Sequence, residues 1–173
     1  VLSAAQRYTD AIAQLELVTR TDPQRATGWL TLGALQLEMR QAKSATTSLQ
    51  KFLELSASAK VEDAADDEED DDSTGNIEEA RIQALLMLAQ AAEQLGDFKA
   101  AESWLARVDN PRRALEVQQR RASLLVKQGK VAEATAAYDA IATTETNTNI
   151  RALALVLAAY TLVDGGNVGQ VEQ

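Results

Sequence analysis

Four alanines keep time along this 173-residue chain. Ala11, Ala45, Ala101 and Ala134 each stand early in an apolar-periodic segment, at separations of 34, 56 and 33 residues. Since 56 − 34 = 22, the odd interval is one period plus an insertion of 22 residues. A period near 34 with a small residue at fixed phase marks a helix–turn–helix unit. One such unit cannot cover its own apolar face, so neighbours must stack. The period therefore leads to an all-α fold built of stacked helix pairs.

The residues between the alanines agree. In 6–21, Tyr8, Ala11, Ile12, Leu15 and Val18 form one stripe at helical spacing, and 26–39 places Trp29, Leu32, Leu35 and Met39 likewise. The segments 43–55, 77–95, 98–108, 111–128, 131–142 and 149–163 follow the same rule. No run alternates with period two, so no strand is expected. Asp22-Pro23 and Asn110-Pro111 read as side-chain caps followed by proline in the first turn. Asn76 with Glu79 reads as a capping box. Gly96 and Gly129 fall where a helix should close on a left-handed residue.

The insertion holds most of the charge. Residues 62–72, EDAADDEEDDD, contain nine acids, and the rest of the chain has 17 acids against 17 bases within a net charge of −9. Such a run cannot bury enough apolar surface to offset its ordering entropy, so 58–76 is expected to be an acidic flexible insertion. Asp66, Asp67, Glu68, Glu69, Asp70, Asp71 and Asp72 form a candidate arm for a basic partner. A calcium-loop reading of 70–81 fails, because Arg81 stands where a bidentate Glu is required. No metal and no cofactor is expected.

At this point the chain resembles the tetratricopeptide repeat family. Segment 26–57 carries Trp29, Leu32, Gly33, Ala45, Leu49, Phe52 and Leu53 at the family's spacing. Segment 82–109 carries Leu85, Leu88, Ala89, Gly96, Phe98 and Ala101, and segment 115–141 carries Ala122, Gly129, Ala134, Tyr138 and Ile141. Gln118 and Arg121 depart from the pattern, where Trp and Leu are usual. The resemblance implies a right-handed α-solenoid over 1–173, with 1–23 a partial repeat, 24–57 a repeat, 77–110 and 111–145 repeats, and 146–173 a partial repeat. The phase at both ends is that of a piece cut from a longer chain. Its exposed ends would suit pairing with a second copy. Many bacterial members work in cell-envelope assembly, so the resemblance leans toward a bacterial envelope protein, cytoplasmic or periplasmic.

Composition narrows the function. The chain has no Cys and no His, which excludes thiol nucleophiles, Cys/His zinc sites and His-based catalysis. No carboxylate pair sits in a catalytic context, so no enzyme is expected. No apolar run is long enough to span a membrane. Seven bases against two acids over 107–130 (Arg107, Arg112, Arg113, Arg120, Arg121, Lys127, Lys130) come without stacking aromatics, so nucleic acid is not the expected partner.

The expected function is a non-catalytic protein-interaction scaffold. A peptide or helix of a partner would lie in the concave groove lined by the first helix of each repeat. By register that face includes Thr27, Leu30, Ala34 and Leu37; Gln83, Leu86, Gln90 and Glu93; Glu116, Gln119, Arg120, Ser123 and Lys127; and Leu153, Val156 and Tyr160. The family's carboxylate clamp is excluded, since Leu30, Ala34, Met87 and Glu116 occupy clamp positions and only Arg120 fits. The alternative is a chaperone-like factor that holds basic clients through the acidic residues 62–72.

Overall fold

The computed structural model of the chain describes residues 4–63 and 71–144, with 152, 155, 156 and 159 beyond them. The described residues form seven α-helices and no strand. They are α1 (Ala4–Thr21), α2 (Ala26–Glu38), α3 (Ala42–Asp63), α4 (Asp71–Gln94), α5 (Phe98–Ala106), α6 (Ala114–Lys127) and α7 (Val131–Thr144). A 3-10 turn, Pro111–Arg113, leads into α6. The fold is all-α and built of helix pairs, as the period requires. The helix expected over 149–163 falls mostly outside the described residues.

The described residues divide into two compact units, one up to Arg107 and one from Val108. In the first, each helix from α1 to α5 packs on the next, and α2 also touches α4. In the second, α6 packs on α7. The alanines that set the period explain themselves here: Ala45, Ala101 and Ala134 are fully buried. In the first unit, Leu37, Ala42, Ala45 and Ala91 form one cluster with Met87 packed against it. In the second, Ala122, Tyr138, Ile141 and Ala142 are joined by Leu115, Val126 and Ala137.

Small residues let the paired axes approach. A Cβ on Gly33 would lie 2.7 Å from Cγ of Leu49, which is itself fully buried. Offsets of 56 and 33 carry Gly33 onto Ala89 and Ala122, both buried. The same offsets carry Leu49 onto Leu105 and Tyr138, again buried. A polar pair is also enclosed, with the Ser48 hydroxyl donating to Oε1 of Gln36 at 2.8 Å between α3 and α2.

Three turns close the pairs in one geometry. Gly96 and Gly129 have φ of 74°, in the left-handed region, as expected at a helix end. In each case the following amide reaches back five residues: Asp97 N–H donates to Ala92 O and Lys130 N–H to Leu125 O, both at 2.9 Å. The α2–α3 turn repeats this bond, Gln41 N–H to Gln36 O at 2.8 Å, but its left-handed residue is Arg40, φ 59°. Arg40 stands 56 residues before Gly96, so the repeat and not the residue type sets the backbone there.

Three expectations need correction. Asp22 does not cap α2; the helix starts at Ala26, and the Asp22 carboxylate instead accepts from Arg25 Nε at 3.2 Å. Pro23 serves through its carbonyl, which accepts from Trp29 Nε1 at 2.9 Å. Asn76 does not cap α4, because that helix starts five residues earlier, at Asp71. The stretch 58–76 is not wholly a loop: α3 runs on to Asp63 and α4 begins at Asp71, while 64–70 lie outside the described residues. Ala57, Ala59 and Lys60 are good helix formers, so α3 continues past its packed part. Asn110 does cap as expected, its side chain accepting from Arg112 N–H at 2.9 Å.

Candidate functional site

In the first unit, α2 and α4 lie side by side and present one surface. From α2 come exposed Thr27 and half-buried Leu30 and Ala34. From α4 come exposed Gln83 and Gln90 with half-buried Met87 between them. Asn76, Ala80, Gln83, Met87 and Gln90 follow one another at steps of 4, 3, 4 and 3. That is the spacing of a single helical stripe. The face is therefore amides and small apolar groups, with half-buried Glu93 at its end.

Two residues expected on this face belong to the core. Leu86 is 3% exposed and Leu37 likewise 3%. The reason is that α4 packs on α3, α5 and α2 together, so Ile82, Leu85, Leu86 and Ala89 are all buried and the free stripe is narrow. Leu37 is covered by Ala42, Ala45 and Ala91. Met87 takes the central place on the stripe. The heptad spacing Gln83–Gln90 was the signal for it.

The tract end of this surface opens into a cavity of about 400 Å³. Leu30, Phe52, Ile77 and Ala80 give it apolar walls, and Thr27, Ser56 and Asn76 are its polar lining. One residue after Ala80 of its wall, Arg81 joins α4 to α3. Its guanidinium donates to Ser56 Oγ at 2.8 Å and to the Leu53 carbonyl at 3.2 Å. The Ser56 hydroxyl donates to the same carbonyl, at 3.2 Å. This clasp links positions 25 and 28 residues apart, one on each side of the insertion. Nothing local in the sequence announces it.

In the second unit, α6 carries half-buried Gln119, Arg120 and Ser123, and exposed Lys127. Glu116 gathers two of the bases: Arg113 at 2.8 Å and Arg120 at 3.4 Å. Arg121, at the position that Leu32 and Leu88 fill in the other repeats, is half-buried. Arg107, at the end of the first unit, stacks over Trp104 at 4.9 Å. The basic cluster read from the sequence is thus partly engaged in local contacts. Burial pushes the Tyr138 hydroxyl above the ordinary tyrosine value.

Of the remaining expected residues, Val156 is exposed, and Leu153 and Tyr160 lie outside the described residues. Asp66, Asp67, Glu68, Glu69 and Asp70 also lie outside them, while Asp71 and Asp72 open α4. Among the described residues no group of three or more acidic, Cys or His side chains could hold a metal ion. No helix there is long and apolar enough to cross a membrane.

Residues 82–109 match the tetratricopeptide repeat family model. The match begins on the packed part of α4 and ends just past α5, taking in the Gly96 turn and the buried Ala101. No curated protein matches the chain. Proteins built of this repeat are in general non-catalytic scaffolds with protein partners. Residues 82–109 are thus similar to a tetratricopeptide repeat, and helix pairs of the same turn geometry stand before and after them in the chain, which supports a protein of that family.

Proposed function

We propose that the chain is a non-catalytic interaction module that holds a segment of a partner protein on the first helices of its repeats. The observation that carries this reading is the α2–α4 surface, where Thr27 and Leu30 line one cavity with Asn76 and Ala80, and Gln83, Met87 and Gln90 continue the Asn76–Ala80 stripe along α4. Amide side chains spaced along a groove can hydrogen-bond a peptide backbone, and the aliphatic groups between them can take side chains. On α6, Gln119, Ser123 and Lys127, with the Glu116–Arg120 pair, offer the same chemistry with added charge. The surface is modest, which suits transient binding.

A second reading places function in the acidic residues 62–72, as an arm that shields basic clients. Nine acids in eleven positions favour it. Affinity capture separates the two, using the parent chain, a Gln83→Glu/Gln90→Glu variant and a form without 62–72. A partner kept by the deletion and lost by the double variant supports the groove. A partner lost with the tract and released by modest salt supports the arm.

A further inference from the structure

We infer that the cavity at the tract end of the α2–α4 surface is a receptor for one apolar side chain of a lysine- or arginine-flanked protein segment. The inference rests on the groove reading and names the partner chemistry for it. The cavity, about 400 Å³, lies within the range of ligand sites, about 300–1,000 Å³. Its walls are Leu30, Phe52, Ile77 and Ala80, contributed by three helices. An aliphatic or aromatic side chain can be desolvated there, while Thr27 and Asn76 leave polar groups in the lining for the segment's backbone.

Charge selects the flanks. Between residues 57 and 80 the sequence holds eleven acids and one base, Lys60. Asp72 precedes the cavity residue Asn76 by one helical turn on α4, about 6 Å along the axis. Glu62 follows Ser56 by six residues on α3, about 9 Å along the axis. Both helices therefore lead from the cavity wall directly into acidic sequence, within about a Debye length at physiological salt. The described cations beside the cavity are engaged elsewhere: Arg25 with Asp22 at 3.2 Å, and Arg81 with Ser56 and the Leu53 carbonyl. An acidic or neutral segment gains nothing at such a mouth; a basic one does. An apolar side chain in the cavity also fixes register, which a run of charges alone cannot.

The test is selection of displayed random peptides against the full chain, followed by titration of the enriched peptides by fluorescence anisotropy. The expected motif is an aliphatic or aromatic residue flanked by Lys or Arg. Changing that residue to Ser should weaken binding about tenfold or more. Filling the cavity with Ala80→Phe should do the same. Because Ala80 is half-buried, Thr27→Phe from an exposed position serves as the second filling variant, with helical content checked by circular dichroism. The variant Glu62→Gln, Asp63→Asn, Asp71→Asn, Asp72→Asn should also lose about tenfold, and raised salt should mimic it. Basic peptides that bind equally with and without the apolar residue would overturn the inference in favour of the acidic tract alone. Peptides without basic flanks, or indifferent to cavity filling but sensitive to Gln83→Glu/Gln90→Glu, would overturn it and leave the groove reading standing. No enrichment over an unrelated helical protein would overturn both.

Discussion

Gly28 and Gly33 sit five residues apart on α2, both buried, yet their surroundings differ. A Cβ at Gly28 would meet Thr19 Cγ2 at an ordinary 3.5 Å, whereas at Gly33 it would meet Leu49 Cγ at 2.7 Å. Gly28→Ala should therefore stabilise the first unit by about 0.5–1 kcal/mol through helix propensity. Gly33→Ala should destabilise it by about 1–2 kcal/mol, because overpacking outweighs the same propensity gain. Urea unfolding of the two variants reads both signs. Tyr138 supplies a pH-dependent counterpart in the second unit. Its raised value favours the neutral phenol in the folded state. The associated stability is full below the ordinary tyrosine value, about pH 10, and is lost as pH rises through the raised one. Tyr138→Phe should thus lose less stability than the parent between about pH 9 and 11, measured by unfolding midpoints.

At the scale of elements, the three pair-closing turns share one backbone, but only two have glycine at the left-handed position. Arg40 bears that conformation with a Cβ, at a cost of about 1–2 kcal/mol. Arg40→Gly should raise the unfolding midpoint by an amount equivalent to about 0.5–1 kcal/mol, since glycine's unfolded-state entropy takes back part of the gain. The clasp at Arg81 acts on a longer element. It holds α3 to α4 at Leu53 and Ser56, beyond which α3 continues to Asp63. Arg81→Met should cost about 1–3 kcal/mol through lost charged hydrogen bonds. Hydrogen exchange should quicken in 54–63 before it does so in α2, an outcome that a merely global loss would not give.

For the whole molecule, the acidic tract governs charge more than packing. The α3–α4 contact and the Arg81 clasp lie on the packed side of the insertion. Replacing 62–72 with a short Gly/Ser linker should leave helical content and the unfolding midpoint close to the parent's. The same change brings the net charge from −9 to zero. Solubility should then fall near neutral pH, because a protein without net charge loses its mutual repulsion. Turbidity against pH for the two chains checks this directly.

Local physics was legible in the sequence. The helical stripes, the left-handed glycines at 96 and 129 and the Asn110 cap all depend on residues within a turn or two of each other. The small residues at 45, 101 and 134 were legible too, since the repeat prints them at one phase. Contacts between distant residues were not. That Leu86 is core and Met87 surface follows from α4 being packed by three neighbours, and a single-helix register cannot report that. That Gly33 is required and Gly28 is not depends on where Leu49 and Thr19 arrive. The Gln36–Ser48 pair, the Arg81 clasp and the cavity between α2, α3 and α4 join positions 12 or more residues apart. Period and spacing decide that helices pair; only the distances between packed helices decide which side chains meet, which are covered and where a surface is left open.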